Sequence, residues 1–330
     1  MNKIIIAIMA SSLVPAAAMA QSAVTVYGVV DAGFVRETGG AEGKVNTLNS
    51  GVASGSRLGF KGTEDLGGGN KAYFVLENGM KIDTGSAGQG GLLFGRQAYV
   101  GLSGTPGSVS FGRQYSPYYR TMRDTVDPFC DGLAGQAGNI TASNARLDNM
   151  VGYSSPALYG FAAELAVGLG EVAGNSAAKR AYSSVLSYTA KSLVVTLGWH
   201  QQQNALATDS SSNTLLGAKY DFGVAEGHLG YVRNKGLLGA RSEDAIIGAT
   251  VPFGPHKVYA SYVRHDDATN ANRDASQWGI GYTYALSKRT DLYAAYARIS
   301  NRNGATFKVG NATTDGTGNT GTNLGIRHIF

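Results

Sequence analysis

The sequence predicts an all-β fold, a transmembrane antiparallel β-barrel of sixteen strands. Period-2 alternation of apolar and small or polar residues recurs from end to end, while helical periodicity is scarce. Compact turns alternate with longer polar loops, which places short connections at one rim and long ones at the other. Glycine supplies 47 of 330 residues and proline 7, with 18 tyrosines against 11 phenylalanines and 2 tryptophans, a composition of many tight turns and many amphipathic aromatics.

The clearest alternation is Trp278, Ile280, Tyr282, Tyr284 and Leu286 against Gln277, Gly279, Gly281 and Thr283. A second is Leu193, Val195, Leu197 and Trp199 against Thr196, Gly198 and His200. One face suits lipid and the other suits water, as in a barrel wall. Strands are expected near 24–36, 50–63, 70–81, 91–103, 107–114, 147–154, 158–168 and 181–189, then 192–202, 212–221, 225–234, 242–251, 256–265, 274–285, 290–302 and 321–330. Compact turns are expected at Glu64–Gly69, Gly104–Pro106, Ser155–Ala157, Thr189–Lys191, Asp221–Val224, Pro252–Pro255 and Ala285–Arg289. An even strand number lets the last strand close on the first, so Phe330 at the carboxyl terminus is expected to serve closure and assembly.

Met1–Ala20 has Lys3 as a basic start, an apolar run from Ile4 to Val14 and a small-residue site at Ala18-Met19-Ala20. It is expected to be a signal peptide cleaved before Gln21, leaving 21–330 as one exported barrel. The apolar run is short for a helical span of about 20 residues. The formal net charge of +5 drops by one with Lys3 and is spread without a dense basic cluster, so no nucleic-acid partner is expected. A single cysteine, Cys130, excludes an intramolecular disulfide framework and reads as an inert thiol. The five histidines show no i,i+2 pair, so neither a metal site nor a cofactor is expected.

From Gly112 to Leu147 the chain departs from alternation, carrying Arg113, Arg120, Arg123, Asp124, Asp127, Asp131 and Arg146 in a long irregular excursion. A stretch of this length in a compact protein is functional or disordered. Arg57 lies opposite in phase to Leu58 and Phe60 and so points inward, with Lys61 on the same face nearer the short turn. Arg96 shares the parity of Ala98, Val100 and Leu102, which by phase alone would turn it outward.

Five blocks carry a resemblance. They are Val24 to Gly33 (VTVYGVVDAG), Ser54 to Gly69 (SGSRLGFKGTEDLGGG), Phe94 to Leu102 (FGRQAYVGL), Leu286 to Tyr293 (LSKRTDLY) and the end Arg327-His328-Ile329-Phe330. Together they resemble the trimeric general porins of Gram-negative outer membranes, most closely the beta-proteobacterial branch. The resemblance implies three sixteen-stranded barrels per assembly, each with its long third loop folded into the lumen, and passive diffusion of small hydrophilic solutes and ions. Outer-membrane lipid and lipopolysaccharide are the implied surroundings. It implies a constriction with a basic wall of Arg57, Lys61, Arg96 and Arg146 facing acidic loop residues Asp124, Asp127 and Asp131, with Arg113, Arg120 and Arg123 as further loop cations.

The family's Pro-Glu-Phe-Gly-Gly loop tip has only a loose counterpart here, Asp127-Pro128-Phe129-Cys130-Asp131-Gly132. The other reading of these acids is as solvated charges away from the pore. The basic side is the heavier, so a weak anion preference is expected. The first strands, Val24–Gly112, are expected to supply much of the trimer contact, with Gly28, Gly95, Ala98 and Gly101 suited to close packing. An enzyme is not expected. The alternatives are an outer-membrane barrel enzyme, which needs a nucleophile beside a histidine that the sequence does not offer, and a soluble exported β-sandwich or adhesin.

Overall fold

The computed structural model describes residues 23–41 and 43–330. The expected signal peptide over 1–20 lies outside the described residues. The wall begins with β1 (Ala23–Gly40), then β2 in two segments (Gly43–Ser50 and Arg57–Gly67), β3 (Asn70–Lys81), β4 (Gln97–Gly104) and β5 (Gly107–Tyr115). It continues through β6 (Arg146–Ser154), β7 (Phe161–Gly168), β8 (Ala181–Ala190), β9 (Leu193–Gln203) and β10 (Ser210–Asp221). The last six strands are β11 (Glu226–Lys235), β12 (Arg241–Phe253), β13 (His256–Asp267), β14 (Ala275–Ala285), β15 (Thr290–Asn301) and β16 (Thr320–Ile329).

Each strand pairs antiparallel with its neighbour in sequence, and β1 pairs with β16 from Val29↔Ile329 to Thr38↔Thr320, so the sheet of sixteen wall strands closes on itself. Closure removes the unpaired edge that lipid could not solvate. Gly28 and Phe330 complete it by exchanging two backbone hydrogen bonds at 3.0 and 3.1 Å. A Cβ on Gly28 would sit 2.3 Å from Phe330 Cζ, so the bare glycine is what lets the terminal ring lie flat there.

The alternation resolves as expected. Leu197, Trp199, Trp278 and Ile280 are exposed on the outer face, while Thr196, His200 and Gln277 are buried on the inner one. Three local expectations change. Residues 37–49, expected as a loop, continue as a paired hairpin between β1 and β2, with Arg36 opposite Asn46. The continuous strand expected over 50–63 is interrupted at 51–56, and the strand expected from residue 91 starts only at Gln97.

Of the glycines expected at an outer contact, Gly101 faces inward, where a Cβ would meet the Tyr73 ring at 2.4 Å, and Gly28 is covered by Phe330. Gly95 lies before β4, packed by Gln89 and Leu92. Their smallness serves packing inside the chain.

The interior is filled from one side. Residues 116–145, between β5 and β6, pack against inward-facing side chains of β8 to β15. Tyr118, Met122 and Val126 pack with Leu215, Val232, Ile246 and Val263, all buried. Phe129 and Leu133 pack with Val35, Val52, Tyr259 and Tyr293. This apolar contact fixes the loop to one half of the lumen and leaves the channel beside the other half.

Candidate pore constriction

The wall side is built on the interruption of β2. Asp31 on β1 is fully buried and accepts the backbone N–H groups of Val52, Ala53 and Ser54 at 3.1, 3.0 and 2.8 Å. The Tyr293 hydroxyl donates to the same carboxylate at 2.7 Å. A carboxylate taking four donors satisfies backbone groups that a broken strand would leave unpaired. It holds 51–56 inward, so Ser54 and Gly55 reach the lumen.

Arg57 follows directly, on the inner face opposite Val29, and donates from Nη2 to Ser54 Oγ at 3.0 Å. Arg96 sits in the bend before β4, which frees it from the outward phase of Ala98 and Val100. It turns inward, and its Nε donates to Glu77 Oε1 at 2.8 Å. Tyr27 donates to the other oxygen of Glu77 at 3.0 Å. Gly55 makes room for this arginine, since a Cβ there would lie 2.5 Å from Arg96 Nη1. Arg146, at the first position of β6, donates from Nε to the Arg96 carbonyl at 3.0 Å and from Nη2 to the Tyr115 hydroxyl at 2.8 Å. Its guanidinium stands 4.5 Å from the centre of the Tyr115 ring.

The loop side starts as a helix, α1 (Pro117–Thr121), with Pro117 at its first turn and the Ser116 hydroxyl accepting the Tyr119 N–H at 3.0 Å. A wider helical turn carries on over Met122–Val126. Its apolar side packs on the wall, which turns Tyr119, Arg120, Arg123 and Asp124 toward the open channel. Arg123 holds Asp124 through two contacts at 2.6 and 2.8 Å, and Arg120 pairs with Glu164 on β7. Tyr115 and Tyr119 stack at 5.1 Å, with the Arg123 guanidinium 5.4 Å from both ring centres.

Cys130 and Asp131 adopt left-handed backbone at φ 53° and 57°, turning the tip so that Asp131 faces the opening. The Tyr119 hydroxyl donates to Asp131 Oδ2 at 2.7 Å. Burial pushes the Asp131 carboxyl above the ordinary value, against the pull of Tyr119 and of Arg123, Arg146 and Arg96.

What remains open is a cavity of about 810 Å³ between wall and loop. Five arginines line it: Arg57, Arg96, Arg120, Arg123 and Arg146. Four carboxylates line it too: Glu77, Asp124, Asp131 and Asp315. Three residues expected at this site lie elsewhere. Asp127 is buried inside the loop, where its carboxylate accepts the N–H groups of Phe129, Asp131 and Ala137, each at 3.0 Å. It folds the tip and does not face solute. Arg113 shares the outward phase of Phe111, donates to the Gly95 carbonyl at 2.8 Å and pairs with the exposed Asp148. Lys61 does point inward, 5.3 Å from the Tyr27 ring centre, but outside the lining of this cavity.

Sequence reasoning missed Glu77, Glu164, Asp315 and the tyrosines 27, 115 and 119. Glu77 was findable, because it lies opposite in phase to Phe74 and Leu76 on β3. Asp315 was not, because it depends on how the last loop folds back over the strand break. There the Gln136 side chain donates to the Asn311 carbonyl at 3.2 Å.

A family described as Gram-negative porin matches residues 6–304. Outer membrane porin protein 32 of Delftia acidovorans is 34% identical over 353 residues, covering 99% of both chains. An outer membrane porin of Bordetella pertussis is 30% identical, covering 95% of this chain and 96% of its own. Among solved structures, an anion-selective porin from Comamonas acidovorans superposes with a TM-score of 0.82 at 31% identity, covering 94% of this chain and all of that one.

Proposed function

The chain belongs to the Gram-negative porin family and forms an outer-membrane diffusion channel, and from there we propose that the channel prefers anions weakly because five arginines line it against four carboxylates, with Arg57 and Arg146 in no ion pair among the described residues. The pairing pattern is the observation that carries this reading. Arg96 is matched by Glu77, Arg120 by Glu164 and Arg123 by Asp124, whereas Arg57 donates to a serine hydroxyl and Arg146 to a carbonyl and a tyrosine hydroxyl. Guanidinium stays protonated at any relevant pH.

Arg57 and Arg146 stand on the wall side and Asp131 on the loop side, so the field is transverse, and five lining arginines against four lining carboxylates leave the positive side the heavier by one. At an effective dielectric of about 20, unit charges ~8 Å apart interact by roughly 2 kcal/mol, enough to favour one ion sign without trapping it. The solved relative named anion-selective supports the same sign. The preference fades with salt, as the Debye length shrinks from about 10 Å at 0.1 M to about 3 Å at 1 M.

Residues 1–20 direct export and are removed, the barrel assembles as a homotrimer, and Phe330 serves assembly through its seat on Gly28. The channel works by diffusion, with no catalytic step assigned to it. Planar-bilayer recordings in a potassium chloride gradient test the reading. A reversal potential on the chloride side at low salt, shrinking as salt rises, is expected; a cation-sided or zero potential at low salt contradicts it.

A further inference from the structure

A second opening lies on the short-turn side of the constriction. It is a cleft of about 130 Å³ between α1 and the strands β3 to β7, with Pro117 and Arg120 lining it from the helix. Tyr73 lines it from the wall and comes four residues before Glu77 on β3, so the cleft sits about 13 Å nearer the short turns at ~3.3 Å per residue. Tyr99 is opposite in phase to the exposed Val100, and Ser108 and Ser110 are opposite in phase to the exposed Phe111, so all three point inward. Arg120 lines both this cleft and the main channel, and the two adjoin at that side chain.

The lining holds hydroxyls that the protein leaves unused. Ser110 donates to Gln114 Oε1 at 2.8 Å, but the hydroxyls of Tyr73, Tyr99, Ser108 and Ser154 make no hydrogen bond to another protein group among the described residues. Ser108 and Ser154 stand directly opposite one another in the β5–β6 pair, which brings their Cβ atoms to about 5 Å. Arg120 Nε is also buried without a partner. A buried donor left unmet is costly, and an oxygen in the cleft would relieve it. The Tyr73 and Tyr99 rings meet edge to face at 6.2 Å and 81°, an arrangement that leaves the faces of one ring without an aromatic partner. Charge is balanced here, in contrast to the constriction. Arg120 is the one charged side chain lining the cleft among the described residues, and Glu164 pairs with it.

We infer that this cleft is a subsite for neutral polyhydroxylated solutes, a pyranose sugar being the class that fits, bound by the four unused hydroxyls, by Arg120 Nε and by a tyrosine face. Hydroxyls suit the task because each can donate and accept, as a sugar hydroxyl also does. The C–H face of the sugar ring lies against the electron-rich face of a tyrosine. The paired charge of Arg120 and Glu164 gives an anion no net attraction, so the subsite selects by hydroxyl pattern and is independent of the anion preference. A volume of about 130 Å³ takes about four waters at ~30 Å³ each, so a six-membered ring seats one edge there and keeps the rest in the open lumen.

The test titrates D-glucose into planar bilayers holding the full-length protein and reads the ion current, with a polyethylene glycol of the same hydrodynamic size as the comparison. Glucose is expected to depress the wild-type current along a saturating curve, half-maximal on the order of 10 mM, while the polyether lowers it only in linear proportion to its concentration. The Y99A/S108A variant loses a tyrosine face and a hydroxyl, and its half-saturation is expected about tenfold higher. Its sugar-free conductance should match wild type, because neither residue lines the constriction. A wild-type current that falls with glucose only as it falls with the polyether overturns the inference, a comparison that requires no variant to fold. An unchanged half-saturation in the variant overturns it as well. Reversal potentials read on the same membranes speak to the anion preference, so the two claims fail separately.

Discussion

Arg96 Nε donates to Glu77 Oε1 at 2.8 Å, and both side chains are nearly sealed from solvent, at 7% and 5% exposure. The pair joins β3 to the bend before β4, and through the Arg96 carbonyl it also seats Arg146. It therefore acts as the floor of the constriction more than as part of its field. Removing one member of a buried pair leaves an unmatched charge, a loss of about 3–5 kcal/mol. Arg96→Met should lower the temperature at which the barrel unfolds on a heated gel. Glu77→Gln should strengthen the anion preference, since Arg96 then joins the free charges. Unchanged stability in the first variant and unchanged reversal potential in the second would contradict this division of roles.

Asp31 holds the break in β2 with four donors, and Asp31→Ala would strand all of them. At about 1–3 kcal/mol for each buried donor left without a partner, a loss of several kcal/mol is expected. Ser54 and Gly55 would no longer be held beside Arg57 and Arg96. Urea unfolding of the purified barrel with a midpoint equal to wild type would refute the bracket.

Asp127 folds the loop tip from within, so Asp127→Ala should loosen the tip and widen the channel while leaving the wall arginines in place. Larger and noisier single-channel conductance with the same sign of selectivity is expected. A shift in selectivity at constant conductance would instead put Asp127 in the ion path.

Much of this architecture is legible in the sequence because a barrel wall has to alternate, and Trp278 against Gln277 or Leu197 against Thr196 states the inside and outside directly. Arg57 was placed by that same phase. Arg96 could not be, because a bend overrides parity and bends are set by contacts distant in sequence, here with Glu77 and Gly55. The loop acids illustrate the same limit. Asp124, Asp127 and Asp131 look alike in sequence, and only the fold of the tip separates the two that face the channel from the one that caps backbone N–H groups.

Burial raises the Asp131 carboxyl above the ordinary carboxylate value, so it takes up a proton at a higher pH than an ordinary carboxylate does. As pH falls through that range, the loop face loses the Asp131 charge and the anion preference grows. Reversal potentials recorded from neutral to mildly acid pH should show this rise, and Asp131→Asn should remove it. A flat profile in wild type would count against the placement of Asp131.

Phe330 closes the barrel through its two backbone bonds to Gly28 and the seat of its ring on that glycine. Gly28→Val should displace the ring and, like deletion of Phe330, reduce the yield of heat-modifiable protein in the outer membrane. Normal yield in both variants would remove the terminal residue from assembly.

The most direct test of the central claim replaces the two arginines that form no ion pair among the described residues together, as R57S/R146S, and reads the reversal potential in a salt gradient. No salt bridge is lost, so the barrel should migrate on heated and unheated gels as wild type does. The reversal potential should move toward cations, because Asp131 and Asp315 then face a wall without free positive charge. A potential identical to wild type would place Arg57 and Arg146 outside the ion path and overturn the account.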